Sequence, residues 1–129
     1  MSYILPQIFS AGFFDMSIRY PNQSSTLSRI SQSFELELPI NYTANLYFNG
    51  QQYSVAPDEL ICVKPGMRRH SVSPYCCYYI HLSSDESDLY EIISNFPLIT
   101  KITNKEEFHD VYSKIISEYN TNLNSKHTI

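Results

Sequence analysis

The sequence predicts a mainly β fold, a small barrel or sandwich, followed by two α-helices. Three observations predict it. From Phe34 to Asn41, apolar and polar residues alternate with a period of two, which is typical of a half-buried strand. Asn49-Gly50 lies between two strand-like segments and favours the type I′ turn of a hairpin. Between Phe108 and Tyr119 the apolar residues recur with helical spacing.

The other strands are predicted from short apolar runs bounded by turn residues. Ile8 to Phe14 is an arm or a first strand, and Leu60 to Val63 is a buried strand that ends at the turn Lys64-Pro65-Gly66. Cys76 to Leu82 is a further strand rich in β-forming residues. Several short strands separated by turns at this spacing are typical of a sandwich or a barrel.

The pattern becomes helical after residue 83. The first helix is predicted around Glu86 to Asn95 and ends before Pro97. The second is predicted from Lys105 to Asn120 and has one apolar face. That face either packs against the barrel or forms a homodimer interface, because an exposed apolar stripe is costly. It consists of Phe108, Val111, Tyr112, Ile115, Ile116 and Tyr119.

Length and composition indicate one compact domain, with a barrel and arm over 1–83 and a helical region over 84–129. The chain has 129 residues and a formal charge of −4, so it lacks the basic surface of a free duplex-DNA binder. Its 3 cysteines form a poor disulfide framework and indicate reduced thiols in the cytoplasm. We expect no signal peptide and no contact with a membrane, because no apolar run is long enough to span one.

Residues with metal-binding or nucleophilic chemistry show no strong motif. No two of the 4 histidines have the spacing HxH, HxxxH or HExxH, so neither a metal nor another cofactor is expected. Lys64, Arg68 and Arg69 form a basic cluster that is either a solvated turn or a contact for an anion. Cys77 lies close in sequence to His81, which is a possible nucleophile pair or simply part of the core.

Tyrosines are concentrated in the strand-rich part of the chain. A barrel interior lined by tyrosine, histidine and arginine suits a small polar ligand, because rings pack on its apolar faces and polar tips bind its polar groups. Tyr42 is included among the candidate ligand-binding residues for this reason. The group consists of Tyr42, Tyr47, Tyr53, Tyr78 and Tyr79.

One stretch, from Val55 to His70, resembles the second conserved motif of the cupins. It is most similar to the version in the N-terminal sensor domains of AraC-family transcription regulators. Arg29 followed by Phe34-Glu35-Leu36 resembles the opening strand of that family, and Tyr78 to Leu82 resembles the strand that closes the barrel. The sequence departs from the family at Asp58, which stands in place of a glycine, and it lacks the metal-binding HxH motif of enzymatic cupins.

The resemblance implies a cupin fold and a sensor domain that binds a small polar metabolite, such as a sugar, and forms a homodimer. It implies a ligand pocket lined by His70, Cys77, Tyr79 and His81, with Arg29 at the mouth. The stretch before Arg19 resembles the family's arm. DNA binding belongs to a helix-turn-helix domain that is absent from this chain.

Two other functions stay open at this point. One is a stand-alone, metal-dependent cupin enzyme, an isomerase or dioxygenase, that uses His70 and His81. The other is an interaction module whose barrel is filled by its own tyrosines and binds no metabolite.

Overall fold

A computed structural model describes residues 7–83 and 90–127 of the chain, with side chains described as far as Thr121. Within these ranges there are nine strands and three helices. In chain order they are β1 (Ile8–Asp15), α1 (Met16–Arg19), β2 (Arg29–Ile30), β3 (Phe34–Pro39), β4 (Ala44–Phe48), β5 (Gln51–Val55), β6 (Glu59–Val63), β7 (Arg68–Val72), β8 (Cys76–Leu82), α2 (Tyr90–Ser94), β9 (Ile99–Lys101) and α3 (Lys105–His127).

The strands form two antiparallel sheets, which confirms a mainly β fold with a C-terminal helix. One sheet has the order β1-β8-β3-β6-β9, and the other has the order β2-β7-β4-β5. The inner faces of the two sheets enclose a lumen that is partly filled by an apolar cluster. The cluster consists of Met16, Ala44, Leu46, Phe48, Val55, Ile61, Val63, Tyr75 and Cys77.

The outer face of the five-stranded sheet is covered by α2 and α3. This second apolar cluster consists of Ala11, Phe34, Leu38, Cys62, Ile80, Leu82, Ile93, Ile102 and Tyr112. Strand β3 is therefore buried on both faces. Phe34 and Leu38 face the helices, and the alternation of side chains turns Glu35 and Glu37 into the lumen, where they are 1% and 4% exposed. The prediction of a half-buried strand was wrong in this respect.

The turns follow the predicted chemistry. Asn49 and Gly50 both have positive φ angles, 51° and 81°, and join β4 to β5 as a type I′ hairpin requires. The side-chain oxygen of Asn49 also accepts a hydrogen bond from the backbone N–H of Arg68 at 2.9 Å. Gly66 has a φ of 90° and reverses the chain between β6 and β7. The hairpin and the turn thus fix which residues of β7 face the lumen.

The second half of the chain is not purely helical. Strand β9 follows α2 and pairs with β6, so this half supplies an edge strand to the five-stranded sheet. Of the first predicted helix, residues 86–89 lie outside the described residues, and α2 covers most of the rest. The C-terminal helix α3 continues to His127, beyond the predicted end at Asn120. None of the described helices has the length and hydrophobicity needed to cross a membrane.

Most of the predicted apolar face of α3 packs on the domain's own sheet. Tyr112 is buried in the outer cluster, and the Oη of Tyr119 donates a hydrogen bond to the carbonyl oxygen of Phe9 at 2.9 Å. Val111 is the exception, since half of it is exposed. The homodimer interface stays a prediction. The residues that pack partly buried against the cluster are Phe108, Ile115, Ile116 and Tyr119.

Candidate functional site

A cavity of about 630 Å³ opens at one end of the lumen, beneath the segment that connects α1 to β2. Its walls come from β1 and β8 on one side and from β2 and β7 on the other. Its size lies in the range of pockets that hold small metabolites. Much of the wall is apolar or aromatic, and these side chains are Phe13, Phe14, Tyr20, Leu27, Tyr75 and Tyr79.

The segment that covers the cavity, residues 20–28, is tied to the end of β7. The backbone N–H of Thr26 donates to the carbonyl oxygen of Ser71 at 2.9 Å, and its hydroxyl accepts from the Ser71 N–H at 2.8 Å. The N–H of Ser73 donates to the carbonyl oxygen of Ser24 at 2.8 Å. These bonds fix one side of the segment, and Tyr20 and Leu27 border the cavity from it while remaining 37% and 88% exposed.

Charged side chains form the floor of the cavity. Arg69 on β7 is 4% exposed and reaches across the lumen to β3, where its Nη1 lies 2.9 Å from Glu35 Oε1 and its Nη2 lies 3.0 Å from Glu37 Oε1. The hydroxyl of Tyr75 also donates to Glu37. The guanidinium lies over the ring of Phe48, 5.3 Å from its centroid. Buried charges are tolerated when they are paired and hydrogen-bonded in this way.

A second arginine joins this network at the mouth of the cavity. Nη1 and Nη2 of Arg29 donate to the two carboxylate oxygens of Glu35, both at 2.7 Å. Ser31 donates a third hydrogen bond to that carboxylate at 2.6 Å. Burial acts to raise the pKa of Glu35, but the bonds from Arg29 and Ser31 and the charge of Arg69 lower it to about 2. Glu35 is therefore ionised at neutral pH, and it holds the Arg29 guanidinium in a fixed orientation.

His81 lies above Glu35 on the adjacent strand β8. Its Nε2 is 3.6 Å from Glu35 Oε1, and its ring centroid is 5.2 Å from that of Tyr79. Burial lowers the pKa of His81 below its ordinary 6.5, and this effect outweighs the attraction of the nearby carboxylates. A neutral imidazole can donate and accept a hydrogen bond at the same time. His81 can therefore offer the cavity either a hydrogen-bond donor or a hydrogen-bond acceptor.

Cys77 lines the cavity on the same face of β8 as Tyr79 and His81. It is 2% exposed, and burial raises the pKa of its thiol well above the ordinary value. A nucleophilic cysteine needs the opposite shift, because the thiolate is the reactive form. Cys77 is therefore suited to packing against a ligand, and the possible nucleophile pair with His81 gains no support from its surroundings.

Two predicted ligand-binding residues are placed differently from the others. His70 borders the cavity, but its ring stacks on that of Tyr47, with 4.5 Å between the centroids, on the face of the second sheet opposite to Arg69. Tyr42 lies in the connection after β3, outside the cavity lining, where its hydroxyl is 3.0 Å from the sulfur of Cys76. The other four predictions, Arg29, Cys77, Tyr79 and His81, do meet in one cavity.

The same region contains a group of side chains with metal-binding atoms. One ligand atom each from Glu35, Glu37 and His81 lies within 4.8 Å of the others. Both oxygens of each carboxylate, however, already accept hydrogen bonds from Arg29 or Arg69. A divalent cation would have to displace two guanidinium groups from these oxygens. The side chains of Glu35, Glu37 and His81 therefore fit a hydrogen-bonded ion network better than a metal centre.

The sequence does not indicate the lumen network of Glu35, Glu37 and Arg69. A half-buried strand leaves the two glutamates on its polar face, and Arg69 is predicted only as part of a basic cluster at a turn. One signal was present, because the two glutamates occupy alternate positions of an otherwise apolar strand. Which arginines reach them depends on the pairing of β7 with β2 and β4, which the sequence does not state.

The chain matches no protein-family model and has no significant match among curated proteins.

Proposed function

We propose that this chain is the effector-sensing and dimerisation domain of an AraC-type transcription regulator, with a cupin barrel that binds a small polar metabolite. The observation that carries the proposal is the cavity itself. It combines aromatic walls with polar groups at fixed positions, Arg29 at the mouth and His81 on the wall. The resemblance of the sequence to AraC-family sensor domains supports the regulator part of the proposal.

The cavity is well prepared for a ligand. Arg29 is held by the two hydrogen bonds that it donates to Glu35, and half of its side chain is still exposed. The rings of Tyr79 and Phe14 offer flat apolar surface next to it. Polar groups that are already in place cost little conformational entropy when a ligand binds. A metabolite with apolar ring faces and several polar groups matches this arrangement.

Strand β8 connects the ligand cavity to helix α3. The cavity is lined by the segment over residues 20–28 and by β8, and the other face of β8 packs against α3 through Tyr78, whose ring lies 6.0 Å from that of Tyr112. A ligand with different affinities for two arrangements of these elements shifts their populations. In a homodimer, a shift of α3 would change how two DNA-binding domains are presented.

The binding function is tested by thermal denaturation with a panel of sugars, sugar acids and other small metabolites. A true ligand raises the melting temperature, since it binds only the folded state. The rise should persist in Tyr47→Leu, whose ring lies outside the cavity, and disappear in Tyr79→Leu. Equal rises in the two variants, or no rise with any compound, would overturn the proposal.

The regulator part has a separate test. We expect the gene that encodes this chain to continue past Ile129 into a helix-turn-helix region. A stop codon at that point would overturn the assignment to a transcription regulator and leave the binding function standing.

A further inference from the structure

The charges around the cavity do not cancel. Arg29 and Arg69 are balanced by Glu35 and Glu37, with which they form hydrogen-bonded ion pairs. Arg19, in the last turn of α1, also lines the cavity and forms no salt bridge with any residue that the structure describes. Burial lowers the pKa of His81 below its ordinary value, which disfavours a positive charge on this residue. Among the described residues that line the cavity, the exposed Arg19 is therefore a positive charge without a salt-bridge partner.

Arg29 adds directed donors to this charge. A guanidinium has five N–H groups, and Glu35 accepts from only two of them, one on Nη1 and one on Nη2. The side chain of Arg29 is 49% exposed, whereas that of Glu35 is 2% exposed. The remaining donors of Arg29 are thus open on the side away from Glu35. The same carboxylate that neutralises the guanidinium also fixes its plane.

We infer that the cavity selects a metabolite with a single carboxylate, which accepts hydrogen bonds from Arg19 and from the N–H groups of Arg29 that Glu35 leaves free. This inference rests on the proposed function and narrows its ligand to organic monoanions, sugar acids included. Planar guanidinium groups are the preferred partners of carboxylates. The body of the ligand lies against Tyr20, Leu27 and Tyr79.

The ion network beneath the cavity explains why an anion is accepted although Glu37 borders the same space. Each oxygen of Glu37 already accepts a hydrogen bond from Arg69, and one accepts a further bond from Tyr75. Glu37 is therefore neutralised from within the protein and repels an incoming carboxylate weakly. A neutral ligand would leave the charge of Arg19 without a partner in the cavity.

The experiment uses two matched pairs of probes that differ only in the carboxylate: benzoate with benzyl alcohol, and D-glucuronate with D-glucose. Isothermal titration calorimetry of the chain measures the affinity of each. We expect at least one acid to bind about tenfold more tightly than its alcohol, as is typical of a charged hydrogen bond. Arg19→Gln should weaken binding of that acid about fivefold, the upper range for an exposed ion pair, and leave its alcohol unchanged.

Two further variants complete the test. Arg29→Gln should weaken acid binding about tenfold. Arg68→Gln is the control, because Arg68 is an exposed neighbour on β7 that does not line the cavity. Arg29→Gln removes a partner of buried Glu35, so its fold is checked by circular dichroism. Arg19 lies outside the ion network, so Arg19→Gln remains decisive if Arg29→Gln fails to fold.

The outcomes separate the inference from the proposed function. If each alcohol binds as tightly as its acid, or Arg19→Gln changes nothing, the inference is wrong and the metabolite-binding function stands. If neither acid binds at millimolar concentration, the inference is also wrong. In that case the metabolite panel decides the proposed function, because a neutral metabolite that stabilises the protein would preserve it.

Discussion

Arg69 on one sheet and Glu37 on the other are joined across the lumen, with Nη2 of Arg69 3.0 Å from Oε1 of Glu37. Both side chains are almost completely buried. Such a pair adds little net stability compared with an apolar pair, but removing one partner leaves an uncompensated buried charge. Each charge in the cavity floor therefore depends on its partner.

The first prediction concerns this pair. Arg69→Met should lower the free energy of unfolding by about 3–5 kcal/mol, because Glu37 and Glu35 lose their shared partner in the lumen. Urea denaturation followed by circular dichroism measures the change. Arg68→Met on the same strand is exposed and should change stability by less than about 0.5 kcal/mol. Equal effects of the two substitutions would contradict the assigned ion network.

The second prediction concerns acid stability. The folded pKa of Glu35, about 2, lies below its ordinary 4.5, so the unfolded chain binds a proton that the folded chain does not. Stability should therefore fall as the pH drops from about 4.5 to about 2. His81 acts in the same direction at higher pH, since its pKa is lowered from 6.5 and its protonation favours the unfolded chain below that value.

Urea denaturation at several pH values measures both effects. Glu35→Gln should reduce the change of the unfolding free energy with pH at low pH. His81→Gln should reduce that change just below pH 6.5. Glu118→Gln on the exposed side of α3 is the control and should keep the wild-type slope. A slope in Glu35→Gln identical to that of the wild type would show that Glu35 titrates normally.

The third prediction concerns two tyrosines of α3. The hydroxyl of Tyr112 is buried without a hydrogen-bond partner among the described residues, whereas that of Tyr119 donates to Phe9. Tyr112→Phe should raise the free energy of unfolding by about 1 kcal/mol, because it removes an unsatisfied buried group. Tyr119→Phe should lower it by a similar amount. Thermal denaturation of both variants measures the difference, and the same sign for both would contradict the packing of α3.

The fourth prediction concerns the close contact between β1 and the cavity wall. A Cβ atom on Gly12 would lie 2.9 Å from the Tyr79 hydroxyl. Gly12→Ala should therefore displace the phenol ring of Tyr79. The free energy of unfolding should change by about 1 kcal/mol or less, because the end of a side chain can shift. The NMR signals of the Tyr79 ring report the movement. Gly50→Ala is the control for the ring signals: alanine is strained there by the φ of 81°, but its Cβ meets open space, so the Tyr79 signals should stay in place.

The fifth prediction concerns the homodimer. Val111 is the member of the predicted interface that the structure leaves most exposed, at 50%. Val111→Glu should preserve the fold and shift the protein from dimer to monomer, because it places a charge in an apolar contact. Sedimentation equilibrium gives the mass in solution. A wild-type chain that is already monomeric, or a variant with unchanged mass, would rule out this face of α3.

Local chemistry made part of the fold predictable from the sequence. The Asn49-Gly50 turn needs no information beyond its own two residues, and the run from Cys76 to Leu82 has the bounds of β8. Strand β9 was missed, because its three residues lie in the short connection between the two predicted helices and form a strand by pairing with β6. Propensity over so short a segment is overridden by tertiary contacts.

Only the part of the site that lies on a single strand was predictable from the sequence. Tyr79 and His81 share a face of β8, and that follows from the period of two alone. The burial of Glu35 does not follow, because alternation shows which residues share a face but not that both faces are covered. Tyr42 was misplaced for a similar reason, since composition indicates what lines a lumen but not which tyrosines point into it.

The most direct test of the central claim, that the space between the sheets is a metabolite receptor, is a ¹H–¹⁵N NMR titration with the compound that stabilises the protein most. We expect the chemical-shift changes to concentrate at Gly12, Arg29, Cys77, Tyr79 and His81, with little change at Tyr47 on the outer face. Changes confined to the outer face, or saturable binding that leaves these five residues unchanged, would contradict the account.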